Sequence, residues 1–149
     1  MDYKCIINKI LKYFPALKLI KKYNIIIPKF LAYVIWPILK PKKIMYDERL
    51  FFTSTKKFSD PSRDLFAYKK FYNIHEKKII ENYLKKNSNC IDVGANIGFF
   101  SYLFLKIVGK EGKIFAFEKI PEVFDILKKN FEYEKNVICN SGAIGIDKE

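Results

Sequence analysis

Two acids and a run of small, turn-forming residues in the second half of the chain have the types and spacing to hold a nucleoside-like ligand. The run Asp92-Val93-Gly94-Ala95-Asn96-Ile97-Gly98 follows a short apolar stretch, Asn89 to Val93, and precedes a longer one, Phe99 to Val108. Glu118 stands 20 residues beyond Gly98. Gly94 lets the backbone turn sharply and leaves no Cβ in the path of a ligand. Gly98 lets the following helix pack closely on the strand. An acid at the distance of Glu118 can accept hydrogen bonds from a ribose diol.

The same residues discriminate between two classes of nucleoside cofactor. A dinucleotide sets its pyrophosphate on a helix N-terminus. Here Asp92 lies at the mouth of that turn, and its carboxylate opposes a pyrophosphate. Asn96 takes the place of the middle glycine in the G-x-G-x-x-G pattern, which reduces backbone access for a diphosphate. Both features fit a ligand with positive groups, such as the ammonium and sulfonium of S-adenosylmethionine, and make a dehydrogenase the weakest reading.

The elements that must position these residues alternate in type. Asn89–Val93 reads as a buried strand and Gly94–Gly98 as a tight turn. Phe99–Val108 reads as an apolar helix stopped by Gly109. Lys113–Phe117 is a second strand ending at Glu118, Pro121 to about Phe131 a second helix, and Asn136–Asn140 a third strand. This βαβαβ order is the first half of a doubly wound, Rossmann-like α/β sheet. Upstream, His75–Lys86 reads as a helix, with Asn73 and Glu76 forming a capping pair. Asp60-Pro61 marks a helix start, and Arg49–Thr55 has strand composition. Ile6, Ile10, Tyr13, Leu17 and Ile20 recur at helical spacing opposite most of the nearby lysines, and Pro15 divides that segment. The expected organisation is a basic, aromatic-rich, mostly helical extension over residues 1–74 and a partial cofactor-binding domain over 75–149.

The run from Cys90 to Gly145 resembles the FkbM-type methyltransferases. The resemblance covers about half the chain, and its motifs are Asp92 to Gly98 with Ser101, then Ala116-Phe117-Glu118 with Pro121, then Asn130 and the segment Asn140 to Gly145. It implies a class I fold and S-adenosylmethionine-dependent O-methylation of a hydroxyl on a sugar, glycan or secondary metabolite. By position it implies that Asp92, Gly94, Ala95, Asn96 and Gly98 line the methionine and ribose end of the cofactor. It further implies that Glu118 holds the ribose hydroxyls, with Lys119 and the Gly142-Ala143 loop near the adenine. Lys119 departs from the proline common in the family. A class I sheet has about seven strands, so this reading expects a truncated chain that carries the cofactor half and is inactive alone. No catalytic base is assigned: His75, the only histidine, lies far upstream of the motif and reads as a surface or structural residue.

Composition adds a second theme. The chain carries 50% hydrophobic and 17% aromatic residues, enough for a core. Its net charge is +12, and residues 1–43 hold ten lysines against one acid, Asp2, so nine of those charges fall there. Such a segment suits an anionic surface, and the expectation is peripheral contact with an anionic membrane rather than with nucleic acid. Alternatives are an RNA or DNA methyltransferase and a non-catalytic membrane- or partner-binding remnant. Cys5, Cys90 and Cys139 form no metal-ligand spacing and read as reduced thiols of a cytoplasmic protein, with no metal site expected. Lysines interrupt any signal-peptide core, and Phe30 to Leu39 is about half the length of a spanning helix.

Overall fold

The computed structural model describes residues 36, 41–53, 62, 64–65 and 74–145. The helical periodicity of residues 6–20, the helix start at Asp60-Pro61 and the Asn73 cap lie outside the described residues. The chain divides into two compact units, residues 1–72 and 73–149.

In the first unit, β1 (Lys43–Tyr46) and β2 (Arg49–Phe52) pair antiparallel. Their two-residue turn, Asp47-Glu48, has positive φ at both positions, 48° and 64°. That geometry matches the right-handed twist of the two strands. Ile44, Tyr46 and Phe51 are buried, and the Tyr46 and Phe51 rings meet edge-on at 6.0 Å. The sequence pointed to β2 but not to its partner, because the hydrophobic pattern of Lys43–Tyr46 merges into the basic lead-in. The strand also ends earlier than its composition implied, at Phe52 rather than Thr55.

The second unit begins with α1 (Ile74–Tyr83), which buries none of its residues. Glu76 and His75 on it are exposed. Then come β3 (Cys90–Val93), α2 (Phe99–Val108), β4 (Ile114–Glu118), α3 (Pro121–Asn130) and β5 (Val137–Ser141). The three strands are parallel in the order β3-β4-β5, which is the βαβαβ half-sheet expected. Gly109 stops α2 with φ 73° and donates its N–H to the Leu105 carbonyl. Pro121 starts α3 at a position where its missing N–H costs nothing.

The core lies on one face of this sheet. Ile114, Ala116 and Val137 pack there with Ala95, Val108, Leu127 and Phe131, and Cys90 and Cys139 border the cluster half-buried. The opposite face is different. Register places Ile91 beside Phe115 and Val93 beside Phe117, and Ile91 and Val93 are 59% and 60% exposed. Among the described residues, β3 pairs only with β4.

Candidate functional site

The turn between β3 and α2 folds as its residue types require. Gly94, Asn96 and Gly98 all adopt positive φ, at 74°, 52° and 89°. Asparagine tolerates that region better than most residues with a Cβ, and the Asn96 Oδ1 accepts a hydrogen bond from the Ile97 N–H at 2.8 Å. The Gly94 and Ala95 amides both donate to the Phe117 carbonyl of β4, at 2.9 and 2.8 Å. The turn is thereby fastened across the strand ends.

Glu118 completes that fastening. It is buried, and its carboxylate accepts from two backbone amides: Asn96 N to Oε2 at 2.9 Å and Ile120 N to Oε1 at 2.8 Å. An ionised carboxylate has about four acceptor positions, so this clamp leaves capacity for a ligand diol. Sequence spacing identified the acid but not its hold on the turn, which depends on the closure of β3 beside β4. Asp92 is also buried, and its Oδ2 accepts from the Ser101 hydroxyl at 2.5 Å. Burial is the largest influence on Asp92 and pushes its pKa up from the ordinary carboxylate value. Hydrogen bonds from Ser101 pull it down, and the Glu118 charge adds a smaller upward push.

A cavity of about 350 Å³ opens at these strand ends. Gly94, Glu118, Lys119, Gly142 and Ala143, five of the residues singled out by sequence, line it together with Val93, Phe117, Ile120 and Ile144. The other four lie behind it. Asp92 is held by Ser101, and Asn96 reaches the site through its amide on Glu118. The Ala95 side chain belongs to the core. Gly98 is buried, and the close approach it permits is to α3 rather than to the strand: a Cβ there would fall 2.1 Å from Phe131 Cε2 and 2.9 Å from Leu127 Cδ1. Asn130, buried at the end of α3, donates to the Ile97 carbonyl at 2.8 Å and ties the turn to that helix.

A larger hollow of about 620 Å³ lies beside α3 and β5, lined by residues including Lys128, Lys129 and Cys139. It contains none of the turn residues, so volume alone does not make it the candidate. The smaller cavity has the convergence of glycine turn and acid that a nucleoside requires.

Gly94 offers the sharpest local test of which surface faces a ligand. A Cβ added there meets nothing within 4 Å. Gly94→Ala is therefore expected to leave the chain folded, with a backbone cost of about 1–3 kcal/mol from the positive φ. The methyl would project at the cavity wall, and nucleoside binding is expected to weaken about tenfold or more. Circular dichroism and calorimetric titration separate the two effects.

Among the described residues, no helix is long and apolar enough to cross a membrane, and no cluster of His, Cys, Asp and Glu could hold a metal ion.

Comparison with known proteins points to one class of enzyme. The chain is 40% identical over 65 residues to the methyltransferase sdnD of Sordaria araneosa, covering 44% of this chain and 24% of that protein. It is 32% identical over 66 residues to the protein-L-isoaspartate O-methyltransferase of Methanococcus aeolicus, covering 42% and 31%. It is 31% identical over 108 residues to the ribosomal RNA large subunit methyltransferase E of Buchnera aphidicola, covering 57% and 52%. The chain thus spans from about a quarter to about half the length of these relatives, and all three are methyltransferases. No family model matches the chain.

Proposed function

We propose that residues 75–149 form the S-adenosylmethionine-binding half of a methyltransferase, preceded by a basic extension over residues 1–74. The observation that carries this reading is the closure of the Asp92–Gly98 turn onto Glu118 beside a cavity open above Gly94. Two buried carboxylates at the ends of adjacent strands suit a cationic nucleoside and disfavour a pyrophosphate. Similarity to three methyltransferases supports the same class.

In this reading Asp92 supplies negative charge for the ammonium and sulfonium end, and Gly94 lines the methionine and ribose, with Ala95, Asn96 and Gly98 shaping the turn behind it. Glu118 accepts from the ribose hydroxyls, while Lys119 and Ala143 border the adenine. When bound, the cofactor supplies an electrophilic methyl group. These residues bind and orient it, and the groups that hold and deprotonate an acceptor lie elsewhere. A parallel sheet is normally covered on both faces, so the bare Ile91 and Val93 face suits a unit that is half of a larger fold.

The finer assignment is an FkbM-type O-methyltransferase acting on a hydroxyl of a sugar, glycan or secondary metabolite, following the motif from Cys90 to Gly145. A second reading, a nucleic-acid acceptor, draws on the likeness to a ribosomal RNA methyltransferase and on the lysine-rich residues 1–43. Those lysines equally suit peripheral contact with an anionic inner membrane face of a cytoplasmic protein. Liposome pelleting across a salt series tests that contact, since screening weakens attraction through lysines.

Calorimetric titration with S-adenosylhomocysteine tests the proposal. Saturable binding is expected, with no comparable binding of NADH. Glu118→Ala removes the partner of two amides and the ribose acceptor together. It is expected to lower affinity about tenfold to a hundredfold, at about 1.5–3 kcal/mol for a hydrogen bond to a charged group. The Asp92→Ala, Glu118→Ala double variant is expected to show no binding. A folded wild-type chain that binds neither ligand would refute the proposal.

A further inference from the structure

Ser101 lies three residues into α2, is fully buried, and faces one of the two acids of the site. A hydroxyl in the first turn of a mostly apolar helix, with no exposure to water, needs a partner to offset its desolvation. Its partner is the Asp92 carboxylate at 2.5 Å, a separation typical of an O–H donor to a charged oxygen. We propose that Ser101 is a positioning residue for the cofactor site: its hydroxyl, bonded to Asp92 Oδ2, fixes that carboxylate in place for a cationic ligand. This rests on the S-adenosylmethionine reading above and deepens it.

The surroundings make that role necessary. Asp92 sits in a buried position with Glu118 on β4 contributing a like charge. Cys90 on its own strand is a thiol pushed up to about 11, by burial first and by the Asp92 charge second, so it adds no negative charge beside the carboxylate. The only charged residue of α2 is Lys106, exposed in the last turn. Burial and Glu118 both favour the protonated acid, and hydrogen bonding from Ser101 opposes them. Removing the hydroxyl takes away the Ser101 donor to Oδ2, and the balance moves toward the protonated form.

The experiment follows the Asp92 side-chain carboxyl by carbon NMR through a pH titration of the full chain, in wild type, Ser101→Ala and Ser101→Cys. It is paired with S-adenosylhomocysteine affinity over the same pH range. The Asp92 midpoint is expected to move to higher pH in Ser101→Ala, and the pH below which affinity falls should move with it. Affinity well above both midpoints should weaken on the order of tenfold or less, because the carboxylate is then ionised but less firmly held. Ser101→Cys, with a weaker donor of similar shape, should shift the midpoint in the same direction by a smaller amount, and it remains informative if Ser101→Ala does not fold. A folded variant with an unmoved Asp92 midpoint overturns the inference while leaving the cofactor reading intact. A wild-type chain that shows no S-adenosylhomocysteine affinity at any pH overturns the cofactor reading, and the positioning role with it.

Discussion

Gly98→Ala is expected to remove much of the stability of the second unit, by about 2–5 kcal/mol. Two independent costs combine at this one position. The backbone sits at φ 89°, where a residue with a Cβ is strained. The new methyl would also stand 2.1 Å from one atom of Phe131 and 2.9 Å from Leu127, both core residues whose side chains would have to shift to admit it. A whole domain is stable by only about 5–15 kcal/mol, so the variant should unfold at markedly lower urea or lose its cooperative transition. The comparison with Gly94→Ala is instructive. Both glycines have positive φ and belong to the same turn, but only Gly98 is packed against another element. Similar urea midpoints for the two alanine variants would contradict the close packing of α3 on the turn.

Asp92→Asn is expected to move stability and binding in opposite directions. Burial raises the Asp92 pKa in the folded chain above its ordinary value of 3.8. The folded state therefore holds the proton more readily than the unfolded state, and stability falls as pH rises through that window. The favourable contribution is fully present below the ordinary value and is lost as pH rises through the folded value. At neutral pH the buried Asp92 carboxyl consequently costs the fold stability. A neutral side chain of the same shape that can still accept from Ser101 should melt higher than wild type at pH 7, and the difference should shrink as pH approaches 3.8. Affinity for S-adenosylhomocysteine at pH 7 should fall about tenfold to a hundredfold, as expected for losing a charged partner. Thermal melts at several pH values, paired with titration calorimetry, check both halves. A variant that melts lower than wild type at neutral pH would mean that Asp92 serves the fold rather than a ligand.

These expectations have different origins. The order of strands and helices from Asn89 onward was legible because each segment has its own periodicity and its own punctuation. Gly109 and Pro121 mark helix ends through local backbone constraints that hold whatever surrounds them. The turn was legible for the same reason: few residues other than glycine and asparagine accept the positive φ that positions 94, 96 and 98 adopt. Glu118 was found from spacing alone, since one helix and one strand separate it from the glycines.

Strand β1 was not legible, because four residues of mixed type become a strand only when β2 supplies the hydrogen bonds. Nor could spacing reveal that Glu118 binds the Asn96 amide, that Asn130 anchors the Ile97 carbonyl, or that Gly98 makes room for Phe131. Each of these joins residues between 22 and 33 positions apart, across an intervening helix or strand. Sequence determined which residues could turn and which could carry charge, because those properties belong to a single residue and its neighbours. Only the tertiary structure decided which of them face the cavity and which hold the turn in place, because burial and hydrogen-bond partnership come from the elements that pack around a residue.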